Sequence, residues 1–200
     1  MKVLCLGGSG GMGRYAAKAI ANFPEITSIT IADLNDHAAK KFADSLNAKV
    51  SGIGLDVTNS ENLKEVLDQH DVVLNTVGPF FKFGLPILEA SIESGCHYLD
   101  ICDDWEPTEE MLKLDSQAKD AEITVIIGLG ASPGITNLMG LIAMEELDSV
   151  DTVITGWDLS SVNPAEESSQ TGTNAAMIHG IKQMTGKVKI FEDGRLDMVQ

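Results

Sequence analysis

Basic residues are scarce in this 200-residue chain: 14 Lys and Arg stand against 30 Asp and Glu, a formal net charge of −16. A surface that negative repels phosphate backbones and anionic lipid, and no local basic cluster offsets it. Neither nucleic acid nor a membrane is therefore expected as a partner. Long apolar runs are missing too. No stretch approaches the roughly 18 residues of a membrane span, and residues 1–6 run into glycines without a signal-peptide core or cleavage site. Together these absences predict a cytoplasmic protein. Cysteine is sparse and odd in number: Cys5, Cys96 and Cys102 exclude a disulfide framework. Cys5 lies in an apolar run and reads as core. Cys96-His97 and Cys102-Asp103-Asp104 mix ligand types, but without a C-x-x-C or a second histidine at ligand spacing no metal site is assigned. Aromatics are few, at 5%, yet hydrophobic residues at 44% and charged residues at 22% are those of a globular chain. Disorder, collagen-like repeats and a coiled coil are thereby excluded.

What is present is a rhythm. Over the first 150 residues a short aliphatic run, a loop and a helix-period segment recur, which predicts a parallel sheet. Strands are expected at residues 2–6, 28–32, 50–55, 72–76, 98–102 and 124–127, with helices at 11–23, 36–46, 62–69, 85–94 and 108–121. Asn59-Ser60 and Asp36 are the expected helix caps. The fold class is α/β, a Rossmann-type doubly wound parallel sheet. A breaker cluster at 128–134 feeds a helix at 135–146 and marks a crossover, giving domains at 1–130 and 131–200. In the second, a β-like run at 152–157, a polar loop at 160–173, a helix at 174–184 and a strand at 187–191 are too little for a large core.

Gly8-Ser9-Gly10-Gly11-Met12-Gly13 fits G-x-G-x-x-G directly after the first strand and opens a helix. In that setting Gly8 permits the tight turn, Gly10 lets backbone approach a pyrophosphate, and Gly13 lets helix pack on strand. The helix N-terminus then faces the phosphates. Asp33, twenty residues beyond Gly13, stands where a carboxylate accepts from the ribose hydroxyls; its alternative reading is a helix cap. A carboxylate there opposes a 2′-phosphate, with like charges about 4 Å apart costing about 4 kcal/mol near a surface before screening. Leu34-Asn35 adds no arginine, so NAD is the expected cofactor and NADP the possible substitute. Asp56-Val57 is placed to meet the adenine. Asn75-Thr76-Val77-Gly78-Pro79 follows the fourth strand on the nicotinamide side, although Asn75 and Gly78-Pro79 also suit a plain turn.

Two near misses narrow the chemistry. Arg14-Tyr15 replaces the Lys-Ser/Thr of a phosphate-binding Walker loop. Ala19 and Cys102, four residues past the two tyrosines, leave no Tyr-x-x-x-Lys pair for a nucleotide epimerase. The candidates for proton handling are His97, Tyr98, Asp103 and Asp104. Each has a plainer role open to it: strand entry for His97, core for Tyr98, and the cap of a helix from Glu106 for the aspartates.

Residues 2–13, 33–35, 75–80, 95–100 and 128–137 together resemble the saccharopine dehydrogenase-like family, which includes saccharopine reductases, carboxynorspermidine dehydrogenases and lysine dehydrogenases. The resemblance spans roughly the first 140 residues. It implies an NAD(P)-binding Rossmann unit followed by an α+β domain that binds a small amino-acid-type substrate and forms a homodimer. Pro133-Gly134 and Asn137 match the family's entry loop, as residues 172–173 match its Gly-Thr segment. Hydride exchange at an amino or imino carbon is the implied reaction, with a non-catalytic dinucleotide-binding regulator as the alternative. Because family members are longer, the second domain is expected to be incomplete and the chain a fragment.

Overall fold

A computed structural model describes residues 1–156, 181, 185 and 187–199. Two compact units divide them, residues 1–129 and 130–200.

In the first unit, strands β1 (Lys2–Leu6), β2 (Ser28–Asp33), β3 (Val50–Gly54), β4 (Val72–Asn75), β5 (His97–Asp100) and β6 (Val125–Ile126) form one sheet in the order β3-β2-β1-β4-β5-β6. Every pairing is parallel. Strand order reverses between β1 and β4, the switch point of a Rossmann-type doubly wound sheet. Helices α1 (Gly11–Ile20), α2 (Asp36–Asp44), α3 (Ser60–Leu67), α4 (Phe80–Glu93), α5 (Trp105–Leu112) and α6 (Asp115–Asp120) fill the crossovers.

Alternation along β1 shows why both faces are covered. Val3 and Cys5 join Ala17 of α1, Ala21 just after it, and Ala39 and Phe42 of α2 in one core cluster. Leu4 and Leu6 face the opposite way, toward Leu63 and Leu67 of α3, Phe80, Ile87 and Leu88 of α4, and Met111 of α5. Burial pushes the thiols of Cys5, Cys96 and Cys102 up to about 12, so all three remain neutral small core residues.

The elements depart from expectation where tertiary burial outweighs local signals. Helix α4 begins at Phe80 and carries Pro86 within it, because burying Phe80, Gly84, Ile87, Leu88 and Ser91 along one stripe offsets the lost backbone bond. The single helix expected at 108–121 is two, broken at residues 113–114. Asn35, not Asp36, caps α2 by accepting from the Ala38 N–H at 3.0 Å, while Asn59 caps α3 as expected.

In the second unit, α7 (Ile135–Glu145) follows Gly134, whose φ of 121° and whose Cβ position 2.1 Å from the Gly130 oxygen demand glycine. The Gly134 N–H donates to Asn137 Oδ1 at 3.0 Å. Strands β7 (Val188–Glu192) and β8 (Arg195–Val199) pair antiparallel across Asp193-Gly194. Both turn residues have positive φ, 50° and 76°, the conformation an Asp-Gly hairpin favours. The run expected as strand at 152–157 is irregular over its described residues, 152–156. The polar loop at 160–173, the Gly-Thr segment and nearly all of the helix expected at 174–184 lie outside the described residues. Among the described residues no helix is long and apolar enough to cross a membrane.

Candidate functional site

Leu6, Asn75 and Asp100 stand in register across β1, β4 and β5, so the loops after these strands share the sheet's carboxyl edge. That edge is where open α/β sheets bind ligands.

On the β1 side, Gly7 to Gly10 form a turn closed by the Gly10 N–H donating to the Gly7 carbonyl at 2.9 Å. Helix α1 starts at Gly11 with no side chain capping it, which leaves its first N–H groups for an incoming acceptor. A Cβ on Gly13 would lie 2.3 Å from the Gly7 oxygen and 2.7 Å from the Gly8 Cα. Glycine at this position is what lets α1 seat on the loop. Around Gly11 there is open space, and Met12 is exposed.

Asp33 ends β2 beside that turn. Its carboxylate accepts from Ser9 Oγ at 2.6 Å and from the Asn35 N–H at 3.2 Å. Leu34 is exposed. Arg14 Nε donates to the Ser9 carbonyl at 2.7 Å, and its guanidinium lies 5.0 Å from the Phe42 ring centroid. Asp56 follows β3, its carboxylate accepting from the Thr58 N–H at 2.9 Å and the Thr58 hydroxyl at 2.7 Å. Those bonds hold its pKa below the usual aspartate range. Val57 packs against the core.

The β4 loop adjoins the glycine turn directly. Thr76 Oγ1 donates to the Leu6 carbonyl at 2.8 Å and approaches the Gly7 carbonyl at 3.2 Å. Asn75 is fully buried, and its Oδ1 accepts from the Val77 N–H at 2.9 Å. Gly78-Pro79 then leads into α4, with Pro79 as its cap residue.

The four proton-handling candidates are not brought together. His97 opens β5, three residues below the carboxyl edge, and its Nδ1 accepts from the Thr124 N–H at 2.9 Å. That contact fixes the ring at the amino end of the strand, which removes His97 from the shared edge. Tyr98 is fully buried; its hydroxyl donates to Asp100 Oδ2 at 2.8 Å and accepts from Asn75 Nδ2 at 3.0 Å. Burial, then the nearby Asp100 charge, push its phenol well above the ordinary value. Asp103 and Asp104 do lie past the carboxyl end of β5, Asp103 exposed and Asp104 buried at the start of α5. Beside them a groove of about 330 Å³ between α4 and α5 is lined by Phe81, Trp105, Glu106, Glu109 and Glu110 among others. Among the described residues no cluster of His, Cys, Asp or Glu is arranged to hold a metal.

Sequence reasoning passed over Asp100. It is fully buried, with Oδ1 accepting from the Cys102 N–H at 3.0 Å and the Gly128 N–H at 2.8 Å. Burial raises its pKa, opposed by those N–H groups and the Tyr98 hydroxyl. The available signal was Tyr98-x-Asp100, two polar residues on one face of a strand otherwise in the core.

Residues 3–126 match a family model described as the saccharopine dehydrogenase NADP-binding domain. A saccharopine dehydrogenase-like oxidoreductase of Mus musculus is 28% identical over 147 residues, 72% of this chain and 34% of that protein. The carboxyaminopropylagmatine dehydrogenase of a Synechocystis strain is 24% identical over 199 residues, 94% of this chain and 48% of that one. Among solved structures, apo saccharopine dehydrogenase (L-Glu forming) from Saccharomyces cerevisiae superposes with a TM-score of 0.63 at 25% identity, covering 72% of this chain and 31% of that one. The chain thus spans between about a third and a half of these relatives. Sheet order, glycine turn and a family match over most of the first unit agree: the chain belongs to the saccharopine dehydrogenase NADP-binding-domain family.

Proposed function

We propose that the chain is the dinucleotide-binding part of an NAD(P)-dependent oxidoreductase acting at an amino or imino carbon of a small amino-acid-derived substrate. The observation that carries this reading is the uncapped start of α1 seated on the glycine turn, with the Asp33 carboxylate beside it. Gly8, Ser9, Gly10, Gly11, Met12 and Gly13 would hold the pyrophosphate. Asp33 would take the adenosine ribose, with Leu34, Asn35, Asp56 and Val57 around the adenine. The 75–79 loop would border the nicotinamide.

In the reaction a substrate C–H pair passes as hydride to the oxidised nicotinamide and the nitrogen's proton passes to an acceptor, leaving a C=N bond. Asp103 and Asp104, at the end of β5, are the better placed of the four candidate acceptors. An amine substrate suits the groove of aromatic rings and carboxylates between α4 and α5. NAD is favoured by the Asp33 charge, whereas the family description names NADP. Homodimerisation through the second domain, when complete, is supported by α7, where no residue is buried although Ile135, Leu138, Met139, Leu141 and Ile142 are all apolar.

Calorimetric titration with NADH and NADPH tests the binding half; folded protein that takes neither would overturn the reading. For turnover, oxidised cofactor is supplied with lysine, saccharopine and related amines, and absorbance of the reduced nicotinamide is followed. Binding without reduction across that panel would favour the non-catalytic regulator.

A further inference from the structure

We propose that Asp100, acting through Tyr98 and Asn75, is the positioning residue for the nicotinamide half of the bound dinucleotide. The proposal rests on the dinucleotide-binding reading and adds to it a part of the protein that the glycine turn does not touch.

One chain of hydrogen bonds carries it. The Val77 N–H donates to Asn75 Oδ1, Asn75 Nδ2 donates to the Tyr98 hydroxyl, and that hydroxyl donates to Asp100 Oδ2. Asp100 Oδ1 then gathers the Cys102 and Gly128 N–H groups. Val77, Cys102 and Gly128 belong to the loops after β4, β5 and β6, so one buried carboxyl ties together three consecutive loops of the carboxyl edge. Its own main-chain carbonyl adds a fourth tie, accepting from the Leu129 N–H at 2.7 Å.

Placement says what these ties serve. A dinucleotide crossing the β1–β4 switch point lays one mononucleotide over β1–β2, where Asp33 stands, and the other over the β4–β5 side. In the first tied loop Val77 directly follows Thr76, which touches the glycine turn. Burying three polar side chains where the surrounding core is aliphatic costs desolvation that apolar residues of equal volume would avoid. A fully satisfied network yields in return a single loop geometry. Asn75, Tyr98 and Asp100 have no exposed surface, so they act on a ligand only through the loops they hold.

The test uses two probe pairs that differ only by the reduced nicotinamide ring: ADP-ribose with NADH, and 2′-phospho-ADP-ribose with NADPH. Tyr98→Phe removes one hydroxyl and keeps the ring in the core. The expected result is an affinity for the ADP-ribose probes within twofold of wild type, a loss of fivefold or more for the reduced dinucleotides, and loss of the change in nicotinamide fluorescence on binding. A purely structural role would weaken both members of each pair together, and that outcome, or no change in either, would overturn the proposal. Should Tyr98→Phe fail to fold, wild-type protein supplies a second measurement. The amide resonances of Val77, Cys102 and Gly128 should move with NADH and not with ADP-ribose, and equal movement would count against the assignment. Wild-type protein that binds ADP-ribose but gains nothing from the nicotinamide would sink this proposal and leave the glycine-turn assignment standing. Binding of neither probe would remove the reading beneath both.

Discussion

On the β1–β2 side of the carboxyl edge the polar groups are main-chain amides around glycines and a partly exposed carboxylate, Asp33, held by Ser9 and Asn35. On the β4–β6 side they include buried side chains, Asn75, Tyr98 and Asp100, that among the described residues bond to one another and to loop backbone. The first region offers its donors to whatever arrives, and shape is imposed by the absence of side chains. The buried network of the second offers nothing directly and fixes the shape of the loops that will meet the ligand. Substitutions should therefore act differently in the two: through ligand contact on one side and through the fold on the other.

The sharpest way to break the contrast is Asp100→Ala. It strands the Cys102 and Gly128 N–H groups and the Tyr98 hydroxyl in a buried setting, at about 1–3 kcal/mol for each group left unsatisfied. Relaxation and entering water recover part of that, and a stability loss of about 3–5 kcal/mol is expected in urea denaturation. A loss below about 1 kcal/mol would mean the network does not shape the fold. Next in size is Gly13→Ala on the other side. The new Cβ meets main-chain atoms of Gly7 and Gly8 as well as the Thr76 hydroxyl, which predicts about 1–3 kcal/mol of destabilisation together with loss of measurable NADH binding. Retained affinity would show that α1 can back away from the turn.

The same contrast explains what the chain disclosed before its structure was known. Both the six parallel strands and the glycine turn are written locally: apolar runs of strand length, breakers between them, glycines at fixed offsets. The Asp100 network is not local. Its bonds join residues 75, 98, 100 and 128, which the registers of β4 and β6 on β5 bring together. His97 lies apart from Asp103 for the same reason, since proximity in sequence says nothing about which end of a strand a residue occupies. Helix α4 was expected only over residues 85–94, whereas the stripe it buries from Phe80 onward is a tertiary property.

Cofactor choice belongs to the exposed side. Replacing Asp33 by Ser and Leu34 by Arg removes a carboxylate and supplies a guanidinium where a 2′-phosphate would sit. The ratio of NADPH to NADH affinity should rise tenfold or more, about 1.4 kcal/mol. An unchanged ratio would reject Asp33 as the ribose contact. The two sides should also titrate in opposite senses. Asp100 is raised by burial, so its contribution to stability is full below the unfolded-state pKa and disappears as pH rises through its folded value. Asp56, lowered by its Thr58 bonds, contributes above the unfolded-state pKa and loses that as pH falls through its folded value. Side-chain carboxyl NMR titrations should place the Asp100 midpoint above that of Asp56; the reverse order would contradict the burial argument.

The smallest expected effect separates two glycines of one turn. Gly11 is the first residue of α1, and a Cβ there meets nothing within 4 Å. Gly11→Ala restricts the unfolded chain without crowding the folded one and should raise stability by about 0.4–1 kcal/mol, read as a higher denaturation midpoint at constant slope. Gly13, two residues on, is predicted to move the opposite way under the same substitution. If both variants lose stability, the loop tolerates no side chain anywhere and its glycines serve the fold; if only Gly13→Ala does, the space over Gly11 is left open for a ligand.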